Sequence, residues 1–167
     1  LRHAVNPAYE QMAGQFVTDP WAARDDYINV IVDRSPDRVS AFMNRNAIRP
    51  LNSGEEITVL RLMELQRNAM LMYTSCGWFF DELSGIETVQ VMRYAGRVLQ
   101  LADQLFSDSF ESGFLEHLER ARSNVPEHRD GRAGPYQVRH RAVAEQPHPV
   151  EHGGVGPELL NRIVGAV

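Results

Sequence analysis

The apolar residues Ile57, Val59, Leu60, Leu62, Met63, Leu65, Ala69, Met70, Leu71 and Met72 fall on nearly every side of a helix drawn through residues 55–73. A helix that is apolar around most of its circumference has to be buried on most sides. The rest of the chain must therefore supply amphipathic surface to enclose it. A second long helix is expected from Ser84, where Glu87 three positions later makes a capping box, to about Phe106. Its positions Ile86, Val89, Met92, Gly96, Leu99, Ala102 and Phe106 keep the three-and-four spacing of one face, and Val91, Val98, Leu101 and Leu105 widen that stripe. The two helices are expected to pack on each other, with Gly96 allowing close approach.

Prolines mark the starts of the shorter helices. Asn6-Pro7, Asp19-Pro20 and Ser35-Pro36 each set a capping side chain before a proline at the first helical position, where the missing N–H costs nothing. These predict helices over 7–16, 20–33 and 36–47. The β-branched run from Tyr27 to Val32 would suit a strand in isolation, but no turn signal separates it from the Asp19-Pro20 start, and helix is the preferred reading. Residues 50–54 read as a turn, and a further helix is expected over 110–122 with Phe114, Leu115 and Leu118 on one side and Glu111, Glu116 and Glu119 on the other.

From residue 123 to residue 157 the character changes: five of the nine prolines, five of the twelve glycines and four of the six histidines fall there. That composition predicts loops, with a helical turn around 136–144, before a last amphipathic turn or two over 158–164. The expected fold is all-α, an irregular helical bundle around two long antiparallel helices with a Pro/Gly/His-rich C-terminal loop region. The expected organisation is a bundle over 1–122, a loop-rich segment over 123–157, and a short terminal helix over 158–167 packed on the same domain.

At 167 residues, with 43% hydrophobic and 23% charged side chains, one ordinary globular domain is expected, able to bury roughly 70% of the surface of the unfolded chain. Cys76 is the single cysteine, so no disulfide forms within the chain. Seventeen basic against twenty-two acidic residues leave a net charge of -5, which argues against nucleic acid as a partner. Every basic residue among those seventeen is arginine, so Schiff-base chemistry and a lysine phosphate contact drop out. No apolar run is long enough to cross a membrane, and no signal-peptide pattern opens the chain. A cytoplasmic location and no membrane partner are expected. The chain begins at Leu1 and enters a helical pattern at once, as a segment cut from a longer polypeptide would.

Chemistry concentrates in residues 73–87, where aromatic rings, small hydroxyls and three carboxylates lie between the two most apolar helices. Sugar binding uses this combination: an aromatic face covers the C–H side of a pyranose and carboxylates accept its hydroxyl hydrogens. On that reading Trp78 or Phe79 is a stacking platform, and Asp81, Glu82 and Glu87 are hydroxyl acceptors. The alternative is a helix–turn–helix junction with Trp78, Phe79 and Phe80 in the core and the carboxylates capping the second helix. Three adjacent aromatics do not all point into one core, so at least one is expected to face outward.

Cys76 with Ser75 and Gly77 invites a nucleophile reading, but no histidine stands at a spacing that signals a dyad. A small buried thiol is expected instead. His128, His140, His148 and His152, with Glu127, Asp130, Glu145 and Glu151, contain no His-Glu-x-x-His, and Pro147 breaks the one Glu-x-x-His between Glu145 and His148. Solvated loop histidines are expected, with no metal and no cofactor. Gly153-Gly154-Val155-Gly156 follows no strand, and Pro157 lacks the N–H that a phosphate loop uses.

Residues Leu65-Gln66-Arg67-Asn68-Ala69-Met70-Leu71-Met72-Tyr73-Thr74-Ser75-Cys76-Gly77-Trp78-Phe79-Phe80-Asp81-Glu82, followed by Ser84-Gly85-Ile86-Glu87-Thr88-Val89-Gln90 and Tyr94-Ala95, carry a resemblance. So does Ser123-Asn124-Val125-Pro126-Glu127 with Asp130-Gly131-Arg132. Over about residues 19–132 the chain resembles the C-terminal domain of unknown function that follows a family 57 glycoside hydrolase module in long bacterial proteins.

The resemblance implies a parent protein acting on α-linked glucan or a related polysaccharide, and a partner in the catalytic barrel of the same polypeptide. In family 57 enzymes the barrel supplies a glutamate nucleophile and an aspartate general acid, and a helical region closes one side of the cleft. A serine-rich turn ending in Asp-Trp marks that region. Ser75, Trp78, Phe79 and Phe80 are similar to it, with Gly77 where the motif has Asp and Asp81 as a possible substitute. Retaining hydrolysis needs two carboxyls about 5–5.5 Å apart, and the barrel carrying them is not in this chain. No catalytic residue is therefore expected here, and the chain alone is not expected to be a complete enzyme.

Overall fold

A computed structural model describes residues 1–79, 83, 85–125, 127 and 130–132. Among these residues the fold is all-α, as expected: α1 Arg2–Ala13, α2 Pro20–Asp26, α3 Ile28–Val32, α4 Pro36–Asn46, α5 Ser53–Leu71, α6 Cys76–Phe79, α7 Ile86–Leu105 and α8 Glu111–Glu119. The expected turn over 136–144 and the terminal helix over 158–164 lie outside the described residues. The chain divides into two compact units, one containing Val5–Arg67 and the other joining Leu1–Ala4 to the described residues from Asn68 onward.

In the Val5–Arg67 unit, α1 departs from the expected start at Pro7, which lies inside the helix. The proline removes one hydrogen bond, to the carbonyl of His3, and both residues are on the exposed side. Val5 and Tyr9 are fully buried one turn apart and hold that segment helical. Asp19 caps α2 as expected, its Oδ1 accepting from the amides of Trp21 and Ala22 at 2.9 and 3.0 Å. The expected helix over 20–33 is two helices, broken at Tyr27, which is the C-cap of α2 and the N-cap of α3. Beside the break the Asp26 carboxylate accepts from Arg45 at 2.8 Å, Asn46 at 2.7 Å and Asn29 at 2.8 Å, tying α2 and α3 to the end of α4.

Ser35 precedes Pro36 but makes no side-chain cap. Its amide instead donates to Asp33 Oδ1 at 3.0 Å, so the turn before α4 is organised by Asp33. Helix α5 begins at Ser53, inside the expected turn, because Asn52 and Glu55 form a reciprocal capping box. The amide of Glu55 donates to Asn52 Oδ1 and that of Asn52 to Glu55 Oε2, each at 3.0 Å. From Val59 to Ala69, nine of the eleven residues of α5 are buried, so this helix is enclosed on most sides.

In the second unit α6 packs on α7. Gly77 makes this possible: a Cβ there would run into the Val91 side chain. Helix α7 spans nearly the expected range, but its N-cap is Gly85 in extended backbone, with no side-chain cap hydrogen bond. The N-cap thus lies one residue after the expected Ser84, which itself lies outside the described residues. Glu87 in the first turn still complements the free N–H groups electrostatically. Leu99 and Leu118 centre a small core with Leu1, Met92, Phe110, Phe114 and Leu115, which places the apolar side of α8 as its sequence predicts. Helix α8 is shorter than expected, ending at Glu119, and an antiparallel bridge joins Arg122 to Asp130.

Candidate functional site

The corner between α5 and α7 is built from three successive tight turns. After α5, the amides of Tyr73 and Thr74 donate to the carbonyls of Met70 and Leu71 at 3.0 and 3.2 Å, and that of Gly77 donates to Thr74 at 3.1 Å. Helix α6 is a single turn, held to α7 by the Gly77–Val91 approach and by Thr88 Oγ1 donating to the Gly77 carbonyl at 3.4 Å. With Gly77 seated on α7, the side chains of Cys76 and Phe79 turn outward. Phe79 is 74% exposed, so at least one of the three adjacent aromatics faces outward, as expected. Cys76 is exposed, which corrects the expectation of a buried thiol: the inner face of α6 is occupied by Gly77.

Other apolar side chains surround this corner within the same unit. Tyr73 is 58% exposed, with the Arg2 guanidinium 4.5 Å from its ring centroid, a cation–π contact that orients the ring. Ile86, at the start of α7, is 78% exposed. Glu87 is half-buried in the first turn of α7. Trp78 is the third residue of α6, while its side chain, Phe80, Asp81 and Glu82 lie outside the described residues. Of the five expected sugar-binding residues, the structure thus places Phe79 and Glu87 on two helices that pack together.

No group of three His, Cys, Asp or Glu side chains gathers to hold a metal among the described residues. His128, His140, His148 and His152 lie outside them.

A buried polar cluster in the Val5–Arg67 unit has no counterpart in the sequence reading. Glu64 is 1% exposed and accepts from the Tyr27 hydroxyl at 2.9 Å and from Arg67 Nη1 at 3.2 Å. Burial pushes the Glu64 carboxyl above the ordinary carboxylate range, against the pull of Arg67, Tyr27 and Arg34 toward ionisation. Burial also drives the Tyr27 phenol well above its usual range, so its hydroxyl is a donor. Nearby, Gln66 Nε2 donates to Asn6 Oδ1 at 3.2 Å. The signal was present in the sequence: when apolar residues surround a helix, the polar ones between them are buried as well.

No helix among the described residues is long and apolar enough to cross a membrane. No curated protein and no solved structure matches the chain. The model of one family, described as a domain of unknown function (DUF3536), matches residues 1–146. The chain belongs to that family, the domains of unknown function DUF3536.

Proposed function

We propose that this helical domain is an accessory module of a family 57-like glycoside hydrolase and shapes a carbohydrate cleft together with a catalytic barrel of the same polypeptide. The observation that carries this reading is the exposure of Phe79, at 74%, on a one-turn helix fixed against α7. An aromatic ring held outward on a rigid support is the element a pyranose face stacks on. Tyr73, steadied by Arg2, adds a second ring in the same unit. Glu87 supplies a carboxylate acceptor, and Trp78, Asp81 and Glu82 complete the proposed set. The hydrolytic carboxyl pair belongs to the barrel, and the substrate class is α-glucan or a related polysaccharide.

The test is a titration with maltooligosaccharides and glycogen, read by tryptophan fluorescence in a Trp21→Phe background so that Trp78 alone reports. A saturable change that Phe79→Ala removes supports the cleft. The same change retained in Phe79→Ala rules out the platform.

A second reading rests on Ile86 and Met70, exposed at 78% and 42%. Aliphatic side chains offer a sugar no stacking face, and their exposure fits a structural domain that docks on the barrel without touching substrate. A tryptophan signal indifferent to sugar at millimolar concentration, with Ile86→Asp weakening association with the separately expressed barrel, favours this reading.

A further inference from the structure

Helix α3 carries a sequence that suits a strand better than a helix. Four of its five residues, Ile28, Val30, Ile31 and Val32, are β-branched and lose side-chain freedom in a helix. Five residues are also far too few for a helix to persist alone. From Tyr27 to Val32 there is no charge, no proline and no glycine, the composition of segments that pair with copies of themselves. Charges crowd the two ends instead, with Asp25 and Asp26 before the run and Asp33 and Arg34 after it. Ile28 and Val32 are exposed at 54% and 81%, and Val30 is the one fully buried side chain of α3.

The restraints that keep this run helical lie at its ends. The Asp26 carboxylate grips Asn29 inside α3 at 2.8 Å and, at the end of α4, Arg45 at 2.8 Å and Asn46 at 2.7 Å. At the other end Asp33 takes the Ser35 amide at 3.0 Å and Arg38 Nε at 3.3 Å, which fastens it to the start of α4. A strand rises about 1.8 Å more per residue than a helix, so extending residues 28–32 lengthens the run by about 7 Å. With both ends fastened to the same helix, that length has nowhere to go.

We infer that residues 28–32 are a guarded strand through which two copies of this chain pair, antiparallel about Val30, when the Asp26 tie opens. In that register Ile28 of one copy lies opposite Val32 of the other and Val30 opposite Val30, so one face of the pair is β-branched throughout. Two residues further out, Asp26 of one copy falls opposite Arg34 of the other, and the carboxylate released from Arg45 meets a second guanidinium. A parallel, in-register pair would instead set Asp25, Asp26 and Asp33 each against its own counterpart. The charges therefore select the antiparallel arrangement, which is two-fold and self-complementary.

The experiment is disulfide trapping in the full chain, in a Cys76→Ser background because Cys76 is itself exposed. Ile28→Cys and Val32→Cys, both at exposed positions, are oxidised separately and as an equal mixture. The antiparallel register brings position 28 within disulfide reach of position 32 in the second copy and holds equal positions about 13 Å apart. Mixed dimer is therefore expected beyond its statistical share. Arg45→Gln with Asn46→Ala cuts the tie and keeps Asp26, and should speed mixed-dimer formation about tenfold, the effect of losing one charge-assisted hydrogen bond. Mixed product at or below its statistical share, no product at all, or a rate unmoved by cutting the tie overturns the inference. Should the double change unfold the chain, Arg45→Gln alone, on a half-exposed side chain, gives the same rate comparison.

Discussion

The hydroxyl of Tyr27 donates to the carboxyl of Glu64 at 2.9 Å, joining residues 37 positions apart in the interior of one unit. Both side chains are 1% exposed, so neither has water to fall back on. Tyr27→Phe keeps the ring against Phe42 and deletes the donor alone. The expected loss is about 1–2 kcal/mol, the net value of one buried hydrogen bond. Urea unfolding at pH 5 measures it, as a lower midpoint with an unchanged slope. An unmoved midpoint would mean that the bond contributes nothing to stability.

The same pair shows where the sequence stops being legible. Apolar spacing located α5 and α7 to within a few residues, since a stripe or ring of apolar side chains leaves few alternatives to a helix. It also implied that one of Trp78, Phe79 and Phe80 faces outward, because consecutive residues of one turn point in different directions, and Phe79 does so. What it missed depends on partners distant in sequence. Tyr27 breaks the helix expected over 20–33 because its ring and hydroxyl are both claimed by residues of other helices, Phe42 and Glu64. Pro7 did not start a helix because Val5 and Tyr9 are buried on either side of it. Cys76 was expected inside because small thiols usually are, yet the inner position on α6 belongs to Gly77, and only the proximity of Val91 reveals that.

Acid should weaken the start of α5. The Glu55 carboxylate takes two hydrogen bonds from Arg49, at 2.7 and 2.9 Å, and one from the Asn52 amide at 3.0 Å. These donors, Arg49 foremost, hold its pKa down to about 2. Folded Glu55 therefore binds a proton less tightly than the unfolded chain does, near 4.5. Its stabilising contribution is complete above that value and is lost as pH falls from 4.5 toward 2. Glu55→Gln should show a shallower loss of thermal midpoint across this interval than the parent chain. Equal slopes in the two proteins would remove Glu55 from the acid response, to which Asp26 and Asp33, also held below their ordinary range, would still contribute.

Gly77→Ala should be costly although alanine is the better helix former. The added methyl would overlap Val91 Cγ2, so α6 has to lift from α7 or Val91 has to turn, at about 1–3 kcal/mol for an overpacked contact. Val91→Ala removes the overlapping atoms and leaves Val91 Cβ at 3.3 Å, which a small shift accommodates. The double variant should therefore recover part of the loss, and a double-mutant cycle in urea reads the coupling directly. Strict additivity of the two changes would show that Gly77 is needed for some reason other than its approach to Val91.

Phe79→Ala separates fold from function at the corner. The ring is 74% exposed, so little apolar burial is lost, and the expected change in stability is within about 0.5 kcal/mol. If Phe79 stacks on a sugar, affinity for maltooligosaccharide in the full-length parent should fall while the unfolding midpoint stays in place. Isothermal titration and thermal unfolding on the same preparation give both numbers. Leucine at this position sharpens the result, because it restores bulk and hydrophobicity without a flat π face. Rescue by Phe79→Tyr but not by Phe79→Leu identifies stacking, whereas rescue by both assigns the position to apolar docking against the barrel. A large loss of stability in Phe79→Ala would instead give the ring a packing role, and the corner would then be holding α6 in place rather than presenting it.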